Sequence, residues 1–162
     1  MPMDVTCALI EADGRVLVAR RAEGAARGGL WEFPGGKVGS GETEAECLVR
    51  EIREELGVTV ALVRRLTPVR HREPDREIRL IPYLCALESG SPRPLEHDQI
   101  LWSEPRGLVE LDWCPADMPV LSQYLRERAP WLAEQMNWPR ATDNPSCRKS
   151  QIGFEPASRP LR

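Results

Sequence analysis

The sequence predicts a layered α/β domain of a single body. Three observations carry that expectation: an Asp-Gly pair between two short apolar runs near the start, one strongly amphipathic helix over residues 43–56, and further strand-like runs interspersed with a second helical stretch. The order of these elements argues against a simple series of β-α-β units, and no internal repeat is visible. At 162 residues with 41% apolar and 29% charged side chains, the chain has the composition of an ordinary globular domain with a real core.

Taken in order, Val5 to Ile10 and Val16 to Ala19 read as strands, and Asp13-Gly14 between them is a hairpin signal. A Gly- and Ala-rich loop (Gly24 to Gly29) leads to a short strand, Leu30 to Phe33, stopped by Pro34-Gly35-Gly36. The helix TEAECLVREIREEL follows, with Gly57 placed to cap its end. At helical spacing, Ala45, Leu48, Val49, Ile52 and Leu56 converge on one stripe, expected to pack on a sheet. Val58 to Leu66 and Arg76 to Ala86 read as strands, with Pro82 suggesting an edge or a bulge in the second. After a Ser/Gly/Pro loop (Glu88 to Pro94) come a short strand at Ile100-Leu101-Trp102 and a helix from Asp117 to about Glu134, with Val120, Leu121, Tyr124 and Leu125 at helical spacing. Residues 139–162 hold four prolines and few large apolar groups, and read as a flexible, basic tail after a domain of residues 1–138.

Charge and composition narrow the function classes. A net charge of −3 lacks the basic excess of a protein that grips nucleic-acid backbones, so a small anionic ligand neutralised locally is expected rather than polymeric nucleic acid. The first residues carry no basic stretch before the apolar run and no window reaches membrane-spanning length, which points to a cytoplasmic protein with no membrane partner. The five cysteines lack metal-ligand spacing and read as reduced, buried fillers, while His71 and His97 receive no assigned role.

Chemistry concentrates on the first helix. Glu51, Glu54 and Glu55 stand at i, i+3 and i+4, so they are surface neighbours whose mutual repulsion weakens the helix unless a cation sits among them. A merely solvated acidic face is the usual meaning of such a cluster. Oxygen-only ligands would select a hard ion such as Mg²⁺ or Mn²⁺.

The local sequence argues against the bland meaning. Gly36, Glu42, Arg50, Glu51, Glu54, Glu55 and Gly57, with aliphatic Ile52 and Val58, match every position of the Nudix box, G-x5-E-x7-R-E-U-x-E-E-x-G-U. The run Gly29 to Lys37 resembles the segment before the helix in MutT-type nucleoside triphosphate pyrophosphohydrolases, and the similarity continues to about Leu125. The resemblance implies an α-β-α sandwich around a mixed sheet, and Mg²⁺-dependent cleavage of a nucleoside triphosphate to the monophosphate and pyrophosphate. It implies that Glu51, Glu54 and Glu55 hold metal together with the Gly35 carbonyl and Glu96, that Glu51 or Glu54 takes the water's proton, and that Arg50 orients Glu51 and pairs with Glu42. By the same resemblance Arg21 meets the phosphates, while Phe33, Arg76 and Asp117 lie near the base. For each a plainer role stands beside the functional one: strand-end cation for Arg21, core residue for Phe33, helix N-cap for Asp117.

The Glu73-to-Arg76 segment looks MutT-like and ranks oxidised guanine, as in 8-oxo-dGTP, ahead of cytosine. Pro115-Ala116-Asp117 looks like CTP-directed relatives and keeps (d)CTP or a modified cytidine triphosphate as the alternative. ADP-ribose or dinucleoside polyphosphates would fit the box but not its flanks. A non-catalytic nucleotide-binding module would be expected to lack one of the box glutamates, and none is missing.

Overall fold

The computed structural model describes residues 1–135. The tail and the expected domain boundary at 138/139 lie outside the described residues, as does Cys147.

The chain opens with strands β1 (Met3–Ala12) and β2 (Arg15–Arg20), joined at Asp13-Gly14 with φ of 51° and 73°. Both central residues are left-handed, the geometry a two-residue hairpin requires. Strand β3 (Trp31–Glu32) pairs with β2, and β4 (Gly35–Lys37) pairs with β1. The segment 31–37 therefore crosses from β2 to β1 where those two strands part. β4 was not foreseen, because two glycines carry no β-type side-chain signal.

Helix α1 (Glu44–Leu56) starts from a full capping box: Thr43 Oγ1 accepts from the Glu46 amide, and the Glu46 carboxylate accepts from the Thr43 amide. It stops at Gly57, whose φ of 69° places it in the left-handed cap. Strands β5 (Thr59–Arg65), β6 (Val69–Arg72) and β7 (Glu77–Ser89) follow, then β8 (Gln99–Ser103), a short helix α2 (Pro105–Leu108), and helices α3 (Met118–Arg128) and α4 (Pro130–Gln135). The expected single helix ending near Glu134 is thus two, because Pro130 lacks the amide the helix would need and Ala129 leaves helical geometry at φ −147°, ψ 62°.

The sheet order is β3-β2-β1-β7-β5, with β8 beside β2 and β6 beside β7. β1 and β7 run parallel and the remaining pairs are antiparallel, so the sheet is mixed. Alternation along β1 divides the core. Ala8 and Ile10 pack with Leu48, Ile52 and Leu56 of α1, whereas Cys7 and Leu9 pack with Val120, Leu121 and Leu125 of α3. Helices cover both faces, which makes the expected α-β-α sandwich.

Two expectations need correction. Pro82 is not on an edge, since β7 is an inner strand, flanked by β1 on one side and by β5 and β6 on the other, and the nearby register shift of the β5–β7 pairing falls between Leu62 and Arg64, opposite Cys85 and Leu84 rather than at Pro82. Its carbonyl accepts from the Leu66 amide, so its missing N–H faces the gap where β5 hands over to β6. In α1, Ala45 is exposed and Val49 only half-buried. Cys47, Glu51 and Glu55, at i, i+4 and i+8, take the flank position instead, because β4 covers that side.

Thr43→Ala should cost about 1 kcal/mol of folding free energy through loss of the cap. Urea unfolding measures this, and an unchanged midpoint would contradict the capping assignment.

Candidate active site

Two glycines let α1 bring its acids against the sheet. A Cβ on Gly35 would lie 2.0 Å from the Thr6 carbonyl oxygen, and one on Gly36 would lie 2.2–2.5 Å from the Glu51 carboxyl atoms. Glu51 therefore rests directly on the Gly36 backbone. Thr6 Oγ1 and Cys47 Sγ both reach the Gly36 carbonyl, at 3.3 and 3.5 Å, and fasten that turn from below.

Arg50 organises the outer edge. Its Nε and Nη2 donate to the two oxygens of Glu42 at 2.6 and 3.0 Å, and its Nη1 donates to Glu51 at 2.9 Å and to Glu54 at 3.3 Å. This fork, with the Gly39 amide, holds the Glu42 carboxyl down at about 2. The expected Arg50–Glu42 and Arg50–Glu51 partnerships are both present. Glu54 turns toward Arg50, and its side chain is 52% exposed.

Glu55 is the opposite case. Burial, and then the nearby carboxylates of Glu32, Glu51 and Glu96, push its carboxyl up to about 9, and its buried Oε2 has no hydrogen-bond partner. Burial also raises Glu51, although Arg50 opposes this. Glu96 acts on both glutamates because its loop docks on the end of α1: the Arg93 and Leu95 amides donate to the Leu56 and Glu55 carbonyls, each at 3.0 Å. An all-oxygen donor set with an orphaned buried oxygen is a chemical match for a hard divalent cation.

A cleft of about 250 Å³ runs from Gly35 and Gly36 toward α3. Its floor is Phe33 and Asp117, with Arg21 and Arg76 on its walls. Segment 112–114 is stitched to β3 by Trp31 N–H to Asp112 O and Cys114 N–H to Trp31 O, both 2.8 Å, which delivers Asp117 to the floor. Asp117 occupies the N-cap position of α3, but its side chain makes no cap bond to that helix. Its Oδ1 accepts from the Phe33 amide at 2.9 Å. Burial, and then Glu32, raise its carboxyl well above the ordinary range. Phe33 is both core and cleft wall, its ring 4.9 Å from that of Trp113.

Several side chains in the site carried no signal strong enough to be foreseen. Glu32 binds His97 Nε2 at 2.9 Å through one oxygen and Arg21 Nη1 at 3.0 Å through the other. Arg21 is thus not a free strand-end cation although it lines the cleft, for its Nε also donates to the Ala26 carbonyl at 2.6 Å. His97, one residue past Glu96, is buried with its side chain 6% exposed. Ligand atoms of Glu32, Cys114 and Asp117 lie within 4.8 Å of one another, a tighter acidic group than the α1 glutamates make. Arg76 is held by Glu73 at 2.6 Å.

A two-helix-layer fold with these acids on the α1 flank defines the class, and residues 2–136 match the model of the NUDIX domain; the chain belongs to that family. It is 34% identical to a CTP pyrophosphohydrolase of Escherichia coli (strain K12) over 127 residues, covering 78% of this chain and 94% of that one. It is also 33% identical to an 8-oxo-dGTP diphosphatase of the same organism over 114 residues, covering 70% of this chain and 88% of that one. Among solved structures, the solution structure of the E. coli ORF135 protein superposes with a TM-score of 0.70 at 33% identity, covering 79% of this chain and 91% of that chain.

Gly36→Ala should fold, with stability within about 1 kcal/mol of the parent, because the obstructing group is a movable side-chain end. Glu51 must then leave its seat beside Arg50. A crystal structure of the variant with Glu51 undisturbed would refute this packing.

Proposed function

We propose that the chain hydrolyses a nucleoside triphosphate to the monophosphate and pyrophosphate with Mg²⁺, or with Mn²⁺ in its place. The supporting observation is the closeness of two unlike acidic groups: the α1 glutamates, with Glu51 seated on Gly36 of the cleft lining and Glu96 acting on Glu51 and Glu55, and the buried Asp117 in that cleft, the Glu32 charge reaching both Glu55 and Asp117. Glu51, Glu54, Glu55, Glu96 and the Gly35 carbonyl would hold the cation. When bound, it supplies neutralisation of phosphate charge and a more acidic water. Arg50 keeps Glu51 in place, and Glu51 or Glu54 takes the proton of the attacking water. Arg21 lies along the cleft for the phosphates, and its present partner Glu32 is exchangeable for a phosphate oxygen.

The base is read at Asp117. Its Oδ1 is committed to accepting from the Phe33 amide, so the proton of the neutral acid resides on Oδ2. A neutral carboxyl offers a donor beside an acceptor. That pair complements O6 and N7–H of an 8-oxoguanine and N3 and N4–H of a cytosine, whereas the same edge of ordinary guanine offers two acceptors. We therefore rank 8-oxo-dGTP first and (d)CTP or a modified cytidine triphosphate second. The two relatives compared above carry these same two names.

Glu54→Gln should leave the melting curve intact and lower kcat by about 10²-fold or more. Pyrophosphate release with and without Mg²⁺ measures this and separates an enzyme from a nucleotide-binding module. Near-normal turnover in a folded variant would overturn the assignment.

Because the folded Asp117 carboxyl is raised, its neutral form persists below that shifted value and is lost as pH rises through it. Selectivity for 8-oxo-dGTP and dCTP over dGTP should accordingly fall with rising pH. In Asp117→Asn the donor and acceptor survive ionisation, so selectivity should become flat with pH. Comparing kcat/KM for 8-oxo-dGTP, dGTP, dCTP and a 5-substituted dCTP across pH decides this, and a preference for dCTP reverses the ranking of bases.

A further inference from the structure

We infer that Glu73 is a positioning residue that straps the cleft, fastening the β2–β3 loop to the β6–β7 turn while presenting Arg76 to the nucleotide. The inference rests on the nucleotide reading above for its ligand, but the strap itself does not. Glu73 Oε1 pairs with Arg27 at 2.9 Å and Oε2 pairs with Arg76 at 2.6 Å, so each oxygen holds one guanidinium. Its side chain is only 10% exposed, against 35% for Arg27 and 46% for Arg76, which places the carboxylate beneath the two cations. All three residues line the cleft.

The span is what distinguishes this cluster from an ordinary surface ion pair. Arg27 belongs to the loop after β2, and Glu73 to the turn between β6 and β7, on the other side of β1 in the sheet order. From β2 across β1 and β7 to β6 is three strand spacings, about 14 Å. The Arg27–Glu73 pair closes that distance over the start of β1, where Met3 and Val5 form part of the cleft lining. Neither end is slack. The Glu73 amide donates to the Arg76 carbonyl at 2.8 Å and closes the turn, while Arg27 adopts a left-handed φ of 57°, unusual for a side chain branched beyond glycine. The same loop bears on Arg21, whose Nε donates to the Ala26 carbonyl. Glu73 thus sets the position of Arg76 directly and of Arg21 through the loop.

Such a residue touches no reacting atom, so it should act on binding and leave the chemical step alone. Glu73→Gln keeps the size and one hydrogen bond but removes the charge shared by the two arginines. Without nucleotide, amide hydrogen exchange in residues 22–30 should rise by about tenfold, with α1 and the core strands unchanged. With 8-oxo-dGTP or dCTP, KM should rise by about five- to tenfold while kcat stays within about twofold. Glu73→Asp should fall between the two proteins in both readouts. Arg27→Met should reproduce the loop exchange, and combining it with Glu73→Gln should add little further exchange. Unchanged exchange in residues 22–30 of Glu73→Gln overturns the strap, as does a lowered KM or a lost kcat with KM intact. If no triphosphate is hydrolysed by the parent, the proposed function fails, and the exchange measurements still decide whether the strap exists.

Discussion

Crowding of negative charge on one flank of α1 is the constraint on which the rest of the site depends. Glu51, Glu54 and Glu55 share that flank and Glu96 is added from outside. Unrelieved, carboxylates this close would raise one another and oppose the helix that carries them. The fold answers differently at each position. Arg50 draws off Glu42, Glu51 and Glu54 as a fork, whereas Glu55 has no cationic partner among the described residues and is kept neutral mainly by burial. The capping box and Gly57 fix both ends of α1, so the acids cannot escape by fraying. The helix is held at both ends, and its last turn carries a buried carboxyl oxygen with no hydrogen-bond partner.

The sheet supplies the other side of this site. Segment 31–37 crosses between two parting strands, and the absence of side chains at Gly35 and Gly36 lets backbone approach backbone on one side and the Glu51 carboxylate on the other. Gly36 and Glu51, fifteen residues apart in the sequence, are in contact, and a side chain at position 36 would clash with the Glu51 carboxyl.

How much of this could be read from the sequence follows from how local each feature is. The hairpin, α1 and its Gly57 stop depend on residues a few positions apart and were legible, whereas the Thr43–Glu46 capping box, equally local, was not foreseen. The clustering of Glu51, Glu54 and Glu55 on one flank of α1 was legible because the spacing that places them together is helical spacing. β4 escaped because its signal is the absence of side chains, and the Pro82 position was misjudged because only the neighbouring strands show where an amide is dispensable. Asp117 was legible as a position but not as a partner: its bond to the Phe33 amide joins residues far apart in sequence. Glu32, His97 and Glu73 escaped for that reason as well, each being defined by a contact between segments far apart in the sequence.

Glu32 shows why the two ends of the cleft must be considered together. Its carboxylate raises both Glu55 and Asp117, so one charge reaches both acidic sites. It is also bound on one oxygen by His97, beside Glu96, and on the other by Arg21. The acids of the two sites answer burial differently: Glu51 is paired by Arg50, whereas Asp117 accepts from a backbone amide and faces the Glu32 carboxylate, so its carboxyl is raised well above the ordinary range. From its half-buried position the Glu32 carboxylate favours the neutral form of Asp117, while its ties to Arg21 and His97 join the end of β2 to the loop that carries Glu96. A substitution at Glu32 therefore acts on both Glu55 and Asp117, through a residue that belongs to neither the Nudix box nor α3.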